Sequence, residues 1–223
     1  IQAERKETVE EPPLLHDLAS LQKEANLRMG LTAGQTASAL QRLYEGGYIS
    51  YPRTSCRYIR QDMPEDMPAL LSLLKDDPCF ARHAETPEGR VLSARAADDD
   101  KVTGHHAIII TENIPGKLPL DEQNLYRMVA GRMLEAFSGK CVKDVTTALL
   151  SAGDTGFTVK GAVMKTAGWR AVFSEQDTED EDAATLPPLQ EGQTLPFSGV
   201  DLLEKQTKPK PLHTESSLLS AME

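Results

Sequence analysis

An α+β fold is predicted for this chain, a mainly helical part followed by a β-rich part, and three observations carry that prediction. Two amphipathic segments between Asp17 and Gly47 each combine a helix start with a glycine stop. A third segment, from Asp121 to Gly139, repeats its apolar residues at helical spacing. After Lys143 the apolar period becomes that of strands, with a Gly-Asp turn between two of them.

Taken in order, a polar lead-in ends at Pro12-Pro13, and from Asp17 the residues Leu18, Leu21, Ala25 and Met29 share one face of a helix that Gly30 can stop. Thr32 and Gln35 then form an S/T-x-x-E/Q capping box, in which each side chain satisfies an orphan backbone donor. The buried stripe expected behind it is Ala37, Leu40, Leu43 and Tyr44, ending at Gly46-Gly47. Two helices joined through Gly30 make a helix-turn-helix candidate. Tyr48 to Tyr51 is aromatic and β-branched and is stopped by Pro52, so it reads as a short strand or wing. The loop that follows carries Arg53, Arg57 and Arg60 before the first acid, Asp62.

Residues 62–104 hold several prolines, a short helix candidate at Ala69 to Leu74 and the acidic run Asp98-Asp99-Asp100. In the helix from Asp121, Leu120 and Leu125 occupy staple positions, and Met128, Val129, Met133 and Phe137 continue the apolar face. Val145 to Leu150, Phe157 to Met164 and Trp169 to Phe173 read as strands, with Gly153-Asp154-Thr155-Gly156 turning between the first two. Six acids within 175–182 predict a solvated, mobile loop. Short strands near Leu195 to Phe197 and Val200 to Leu203 lead into the basic linker Lys205 to Lys210.

The 223 residues, 39% apolar, can bury a substantial core, and no apolar run nears the ~20 residues of a membrane-spanning helix. The net charge of −10 argues against a generic, charge-driven nucleic-acid coat but leaves room for a local basic site. Cys56, Cys79 and Cys141 are odd in number and form no CxxC pair, so neither a disulfide framework nor a zinc site is signalled, and a cytoplasmic setting is expected. Ile1 in place of Met, with Leu218, Leu219 and Met222 opening a helix just before Glu223, reads as an internal piece of a longer protein.

Two constellations could carry chemistry. Tyr51-Pro52-Arg53 puts a phenol two residues from a guanidinium in a stiffened loop. A phenol, with a free pKa of about 10, needs nearby positive charge to act as a nucleophile, and arginine's planar fork suits two phosphate oxygens. The plain alternative is a strand-end aromatic beside a surface arginine. Gly104-His105-His106-Ala107-Ile108-Ile109-Ile110-Thr111 offers an imidazole to donate to a phosphate or carry a proton. Adjacent histidines on extended backbone point apart, so a shared metal is not expected, and the alternative is a His pair opening a buried strand.

The Tyr-Pro-Arg-Thr loop resembles type IA DNA topoisomerases, most closely the topoisomerase III branch, when taken with Leu-Gln-Lys-Glu-Ala, Leu-Tyr-Glu-Gly-Gly-Tyr-Ile, Gly-His-His-Ala-Ile-Ile and the terminal His-Thr-Glu-Ser-Ser-Leu-Leu-Ser-Ala-Met-Glu. The match spans nearly the whole chain in the family's order. The resemblance implies that Tyr51 is the nucleophile on single-stranded DNA, forming a 5′-phosphotyrosine link, that Arg53 holds the scissile phosphate and that His105 lies near it. Thr54, Arg57 and His106 would line the DNA path. Ser55, Cys56 and Ile110 depart from the family's usual residues.

The resemblance further implies a tyrosine domain with a catabolite-activator-like, winged-helix module at 13–143, inserted into a β-rich hinge domain formed by 1–12 and 144–210, with 211–223 opening the next helical domain. Mg2+ would be bound by the family's Toprim domain, which nothing here matches, so this chain alone is expected to be inactive. Expected partners are single-stranded DNA, that Toprim domain and a helicase. The competing function is a non-catalytic winged-helix binder of duplex DNA, which the lone cation Arg42 on Ala33 to Glu45 makes poor. A tyrosine recombinase would need further Arg and His-x-x-Arg elements that are not found.

Overall fold

A computed structural model of the chain describes residues 2–81, 94–173, 186, 189, 191–196, 199 and 203–222. They fall into two units. The helical unit comprises Glu11–Gly139, Gly168–Ser174 and His213–Glu223, and the sheet unit comprises Ile1–Glu10, Lys140–Ala167 and Glu175–Leu212.

In the helical unit, α1 spans Leu18–Met29. Asp17 caps it by accepting the Ser20 N–H at 2.8 Å while Ser20 Oγ accepts the Asp17 N–H at 3.1 Å. Gly30, at φ +68°, ends it in the left-handed region that disfavours a side chain. The Thr32–Gln35 capping box opens α2, Ala33–Glu45. Its buried stripe is Thr36, Ala39, Leu40 and Leu43, a register slightly different from the expected one, and Tyr44 stands exposed. Thr36 is tolerated inside because its hydroxyl donates to the Thr32 carbonyl at 3.0 Å.

Two short pieces follow the basic loop, α3 at Met67–Ser72 and a 3-10 turn at Leu73–Asp76, which together replace the helix expected at Ala69 to Leu74. The longest helix, α4, spans Leu120–Ala136 and buries Leu125, Val129 and Met133. Leu120 is exposed and makes no staple, because Pro119 takes the N-cap and Leu120 becomes the first helical residue. The core joins α1, α2, α3 and α4 around Leu21, Leu40, Leu43, Leu71 and Val129. Burying each such side chain contributes roughly 1.5–3 kcal/mol. A last helix, α5, spans Glu215–Met222 and packs on α1, where Ser216 N–H donates to Asn26 Oδ1 at 3.1 Å.

The sheet unit is a three-stranded antiparallel sheet in the order β1-β2-β3. Its strands are β1, Gln2–Glu10, β2, Cys141–Ala152, and β3, Thr155–Thr166. Gly153, at φ +58°, and Asp154 form the tight turn, while Thr155 and Gly156 already belong to β3. The polar lead-in is thus a strand, with Gln2 paired to Leu149 and Glu10 to Cys141.

Other expectations are corrected. Tyr48 to Tyr51 is not a wing strand but a single bridge, Ile49 to Ile110. Gly168–Ala171 is a 3-10 turn in place of the strand expected at Trp169 to Phe173, since Trp169 N–H is taken by the Gly139 carbonyl at 2.9 Å. Leu195 and Pro196 carry no regular structure. The rest of those two short strands, except Leu203, and the acidic run at 175–182 lie outside the described residues.

Candidate active site

Extended backbone, rather than helix, holds the two sequence constellations together in the helical unit. Ser50 laces them: its N–H donates to the Ile109 carbonyl at 2.8 Å, its hydroxyl donates to the Ala107 carbonyl at 3.1 Å, and that oxygen accepts the Ile109 N–H at 3.0 Å. Further along, the Tyr58 carbonyl accepts the Ala107 N–H at 2.9 Å. The segment leading to α1 closes the arrangement, since His16 bridges Ile108 and Leu18 N–H donates to the Thr54 carbonyl at 3.0 Å. Ala107 to Ile110 is buried, which explains why a run so apolar follows two histidines.

This lacing places the Tyr51 and His105 rings 4.3 Å apart, centroid to centroid, tilted by 39°. Tyr44, at the end of α2, meets Tyr51 at 5.4 Å in a T-shaped contact, so the phenol is held from two sides. Arg53 is exposed two residues on, with no ion pair among the described residues. A phenol and an imidazole are therefore in ring contact, with an exposed guanidinium two residues along the chain, a set of groups suited to gripping a phosphate and attacking it.

The remaining predicted site residues are more enclosed. Thr54 is buried, and its hydroxyl donates to the His105 carbonyl at 3.0 Å and accepts the Cys56 N–H at 3.0 Å. Arg57 turns back toward the segment before α1, where Nε donates to the Leu15 carbonyl at 3.0 Å and Nη2 reaches the Leu14 carbonyl at 3.5 Å. His106 is half-buried with Nδ1 2.7 Å from the Ala107 carbonyl, a geometry that favours a proton on Nδ1.

Behind the site lies a charged cluster that sequence reading missed. His16 is 1% exposed, with Nδ1 3.2 Å from Ser20 Oγ and Nε2 3.4 Å from Glu24. Burial pushes its pKa well below the usual 6.5, aided by the charges of Arg132, Arg57 and Arg28. Glu24 would favour the imidazolium, but its carboxylate is already engaged by Arg28 at 2.9 Å and Arg132 at 2.6 Å, so the neutral ring wins. The Glu24–Arg28 spacing of four was a readable helix-pair signal. Nothing in the sequence marked His16.

On α2 the lone cation, Arg42, is paired with Glu122 at 2.5 Å, which leaves that helix without a free charge for duplex phosphates. Among the described residues no group of three or more His, Cys, Asp or Glu side chains is placed to hold a metal ion. Nor, among them, is any helix long and apolar enough to cross a membrane.

Comparison with known proteins covers the whole chain. A family model described as DNA topoisomerase matches residues 1–223. DNA topoisomerase 3 of Bacillus subtilis (strain 168) is 35% identical over 232 residues, covering 99% of this chain and 32% of that protein. DNA topoisomerase 3 of Bacillus licheniformis is 36% identical over 219 residues, covering 95% of this chain and 30% of that protein. The chain thus spans about a third of the length of the curated relatives it matches. The solved structure of full-length topoisomerase I from Thermotoga maritima superposes with a TM-score of 0.71 at 20% identity, covering 99% of this chain and 36% of that one, which is a likeness of fold.

Proposed function

This chain belongs to the type IA DNA topoisomerases and is topoisomerase III-like, and from that premise we propose that it carries the nucleophile half of a centre that cuts and rejoins one DNA strand. The observation that carries the reading is the tilted ring contact of Tyr51 with His105, centroids 4.3 Å apart, two residues before an exposed Arg53. Tyr51 Oη attacks a phosphodiester of single-stranded DNA. The phenol loses its proton, an O–P bond forms to the 5′ phosphate, and the bond to the 3′ oxygen breaks. That oxygen takes up a proton and leaves as a hydroxyl. Because one ester replaces another, resealing runs the same steps backwards without nucleotide hydrolysis, and the cut end stays bound while a second strand passes.

Arg53 would grip two non-bridging phosphate oxygens, where its fixed fork offsets the charge that builds up in the transition state. His105 would donate to the same phosphate or carry the proton between Tyr51 and the leaving oxygen. His106 takes a flanking place on the strand's path, and Thr54 acts through the shape of the loop. Mg2+ is assigned to the Toprim domain of the full-length protein.

The helical unit is read as the tyrosine domain with its catabolite-activator-like helix pair, and the sheet unit as part of the hinge that lets the gate open. The partners on this reading are single-stranded DNA, the Toprim domain and a helicase, in the cytoplasm where the DNA is. Without the Toprim domain this chain alone is expected not to relax DNA, and relaxation by the purified 223 residues would overturn that expectation.

The deciding experiment is covalent trapping on the full-length protein with labelled single-stranded DNA and magnesium under a denaturing quench. An adduct made by the wild type and absent from Tyr51→Phe supports the reading. An adduct that survives Tyr51→Phe moves the chemistry elsewhere.

A further inference from the structure

The sequence resemblance puts Arg57 on the DNA path, yet its guanidinium is turned inward. Its Nε–H donates to the carbonyl of Leu15, a residue with no exposed surface, at 3.0 Å, and Nη2 lies 3.5 Å from the Leu14 carbonyl. These two carbonyls belong to the stretch between Pro13 and the start of α1, which forms no regular structure apart from the His16 bridge. That same stretch is tied twice more to the site: His16 accepts the Ile108 N–H at 2.8 Å, and Leu18 N–H donates to the Thr54 carbonyl at 3.0 Å. Thr54 in turn holds the His105 carbonyl. The loop of Tyr51 to Tyr58, the extended segment of His105 to Ile110 and the residues before α1 therefore form a closed ring, and Arg57 contributes to it a link made by a charged side chain.

We propose that Arg57 is a positioning residue, which anchors the nucleophile loop to Leu15 and Leu14 and so keeps Tyr51, Arg53 and His105 in register when the scissile phosphate arrives. This rests on the reading of Tyr51 as the nucleophile. A bond from a side chain to backbone carbonyls is a sound anchor, because peptide carbonyls move only with the chain itself and a charged donor makes the stronger bond. The rival role is a phosphate contact. Arg57 also lines a cleft of about 620 Å³ with Lys23, Glu24 and Arg28, through which a backbone phosphate could approach.

The two roles separate by which step they touch. A contact made by a cation to a strand phosphate adds affinity and salt dependence, about 0.7 in the slope of log K against log salt for each single-strand phosphate neutralised. An anchor adds neither, but lowers the rate of cleavage once DNA is saturating, since misplacement of reacting groups by ~1 Å is enough to slow chemistry about a hundredfold. Charge and hydrogen bonding also separate. Gln lacks the charge but its amide can still donate to a carbonyl, whereas Ala can do neither.

The test uses the full-length protein with wild type, Arg57→Ala, Arg57→Gln and Tyr51→Phe, measuring single-strand affinity across a salt series and single-turnover cleavage at saturating DNA. The proposal expects both Arg57 variants to bind within about twofold of wild type with an unchanged salt slope. It expects saturating cleavage to fall about tenfold or more in Arg57→Ala, and Arg57→Gln to recover part of that loss. Weakened binding, a shallower salt slope and an unchanged saturating rate would make Arg57 a phosphate contact and overturn the proposal, as would wild-type behaviour in Arg57→Ala. Should Arg57→Ala fail to fold, Arg57→Gln decides alone by the same rate-against-affinity split. Cleavage by Tyr51→Phe would instead bring down the reading beneath it, a failure distinct from either Arg57 outcome.

Discussion

The Thr54 hydroxyl sits between two backbone groups, donating to the His105 carbonyl at 3.0 Å and accepting the Cys56 N–H at 3.0 Å, so one oxygen ties the loop of Tyr51 to the extended segment of His105. Thr54→Val keeps the volume and removes the oxygen, leaving a carbonyl and an N–H short of a partner in a part-buried place beside the buried Thr54 side chain. The expected loss is about 1–3 kcal/mol, which for a protein of this size is a drop of roughly 2–4 °C in Tm per kcal/mol. Thr54→Ser should restore most of it. Calorimetry on the chain checks this, and a valine variant as stable as wild type would show that the oxygen is dispensable.

His16 gives the helical unit a pH dependence of known sign. Its ring is buried and held neutral, with a pKa well below 6.5, first by burial and then by the charges of Arg132, Arg57 and Arg28. Below about pH 6.5 the unfolded chain takes up a proton that the folded chain refuses, so stability is complete above that pH and is lost as pH falls toward the folded pKa. The slope for one such group approaches about 1.4 kcal/mol per pH unit. Urea midpoints measured from pH 7.5 to 5 should fall with pH in the wild type and fall less steeply in His16→Phe. Parallel curves would show that His16 does not titrate with folding.

What the sequence revealed of this fold was what neighbours in the chain decide. The helix start at Asp17, the capping box of Thr32, the stop at Gly30 and the turn at Gly153-Asp154 are local, and each stands where its residues put it. Partners far away in the chain decided the rest. β1 was not readable, since Gln-Ala-Glu-Arg-Lys-Glu-Thr-Val-Glu has no apolar alternation and becomes a strand by pairing with β2, where Lys143 and Glu10 meet at 3.0 Å. Trp169 to Phe173 looked like a strand until Gly139 claimed the Trp169 N–H. At the site, the resemblance singled out Tyr51, Arg53 and His105 before their placement was known, whereas the cluster around His16 and Glu24 emerges only when α1, α4 and the lead-in to α1 come together.

Glu24 is the counter-ion of that cluster, and its loss should be felt more through the arginine it strands than through its own contacts. Its side chain is mostly buried, as is that of Arg132, which it meets at 2.6 Å. Glu24→Gln therefore leaves a mostly buried guanidinium that keeps, among the described residues, Glu135 at 2.9 Å as an ion-pair partner. Breaking such a pair from one side is expected to cost about 2–4 kcal/mol, near the lower end for buried ion pairs. Arg132→Met in the same background should recover part of the loss, because the stranded charge is removed with it. A double-mutant cycle on urea stability measures the coupling, and additive effects would show that the two residues act independently.

Arg53 should behave in the opposite way, because no ion pair among the described residues depends on it. The side chain is exposed and makes no ion pair among the described residues, so Arg53→Ala is expected to leave stability within about 0.5 kcal/mol of wild type. If the guanidinium grips the scissile phosphate, the same substitution should slow single-turnover cleavage by the full-length protein about a hundredfold, the scale of losing one donor to a developing negative charge. Arg53→Lys keeps the charge but not the planar fork, and a lysine can approach two oxygens only as a point charge, so recovery should be partial. Full rescue by lysine would mean that charge alone is needed there. A large fall in stability with no change in the cleavage rate would assign Arg53 to the fold instead of the phosphate.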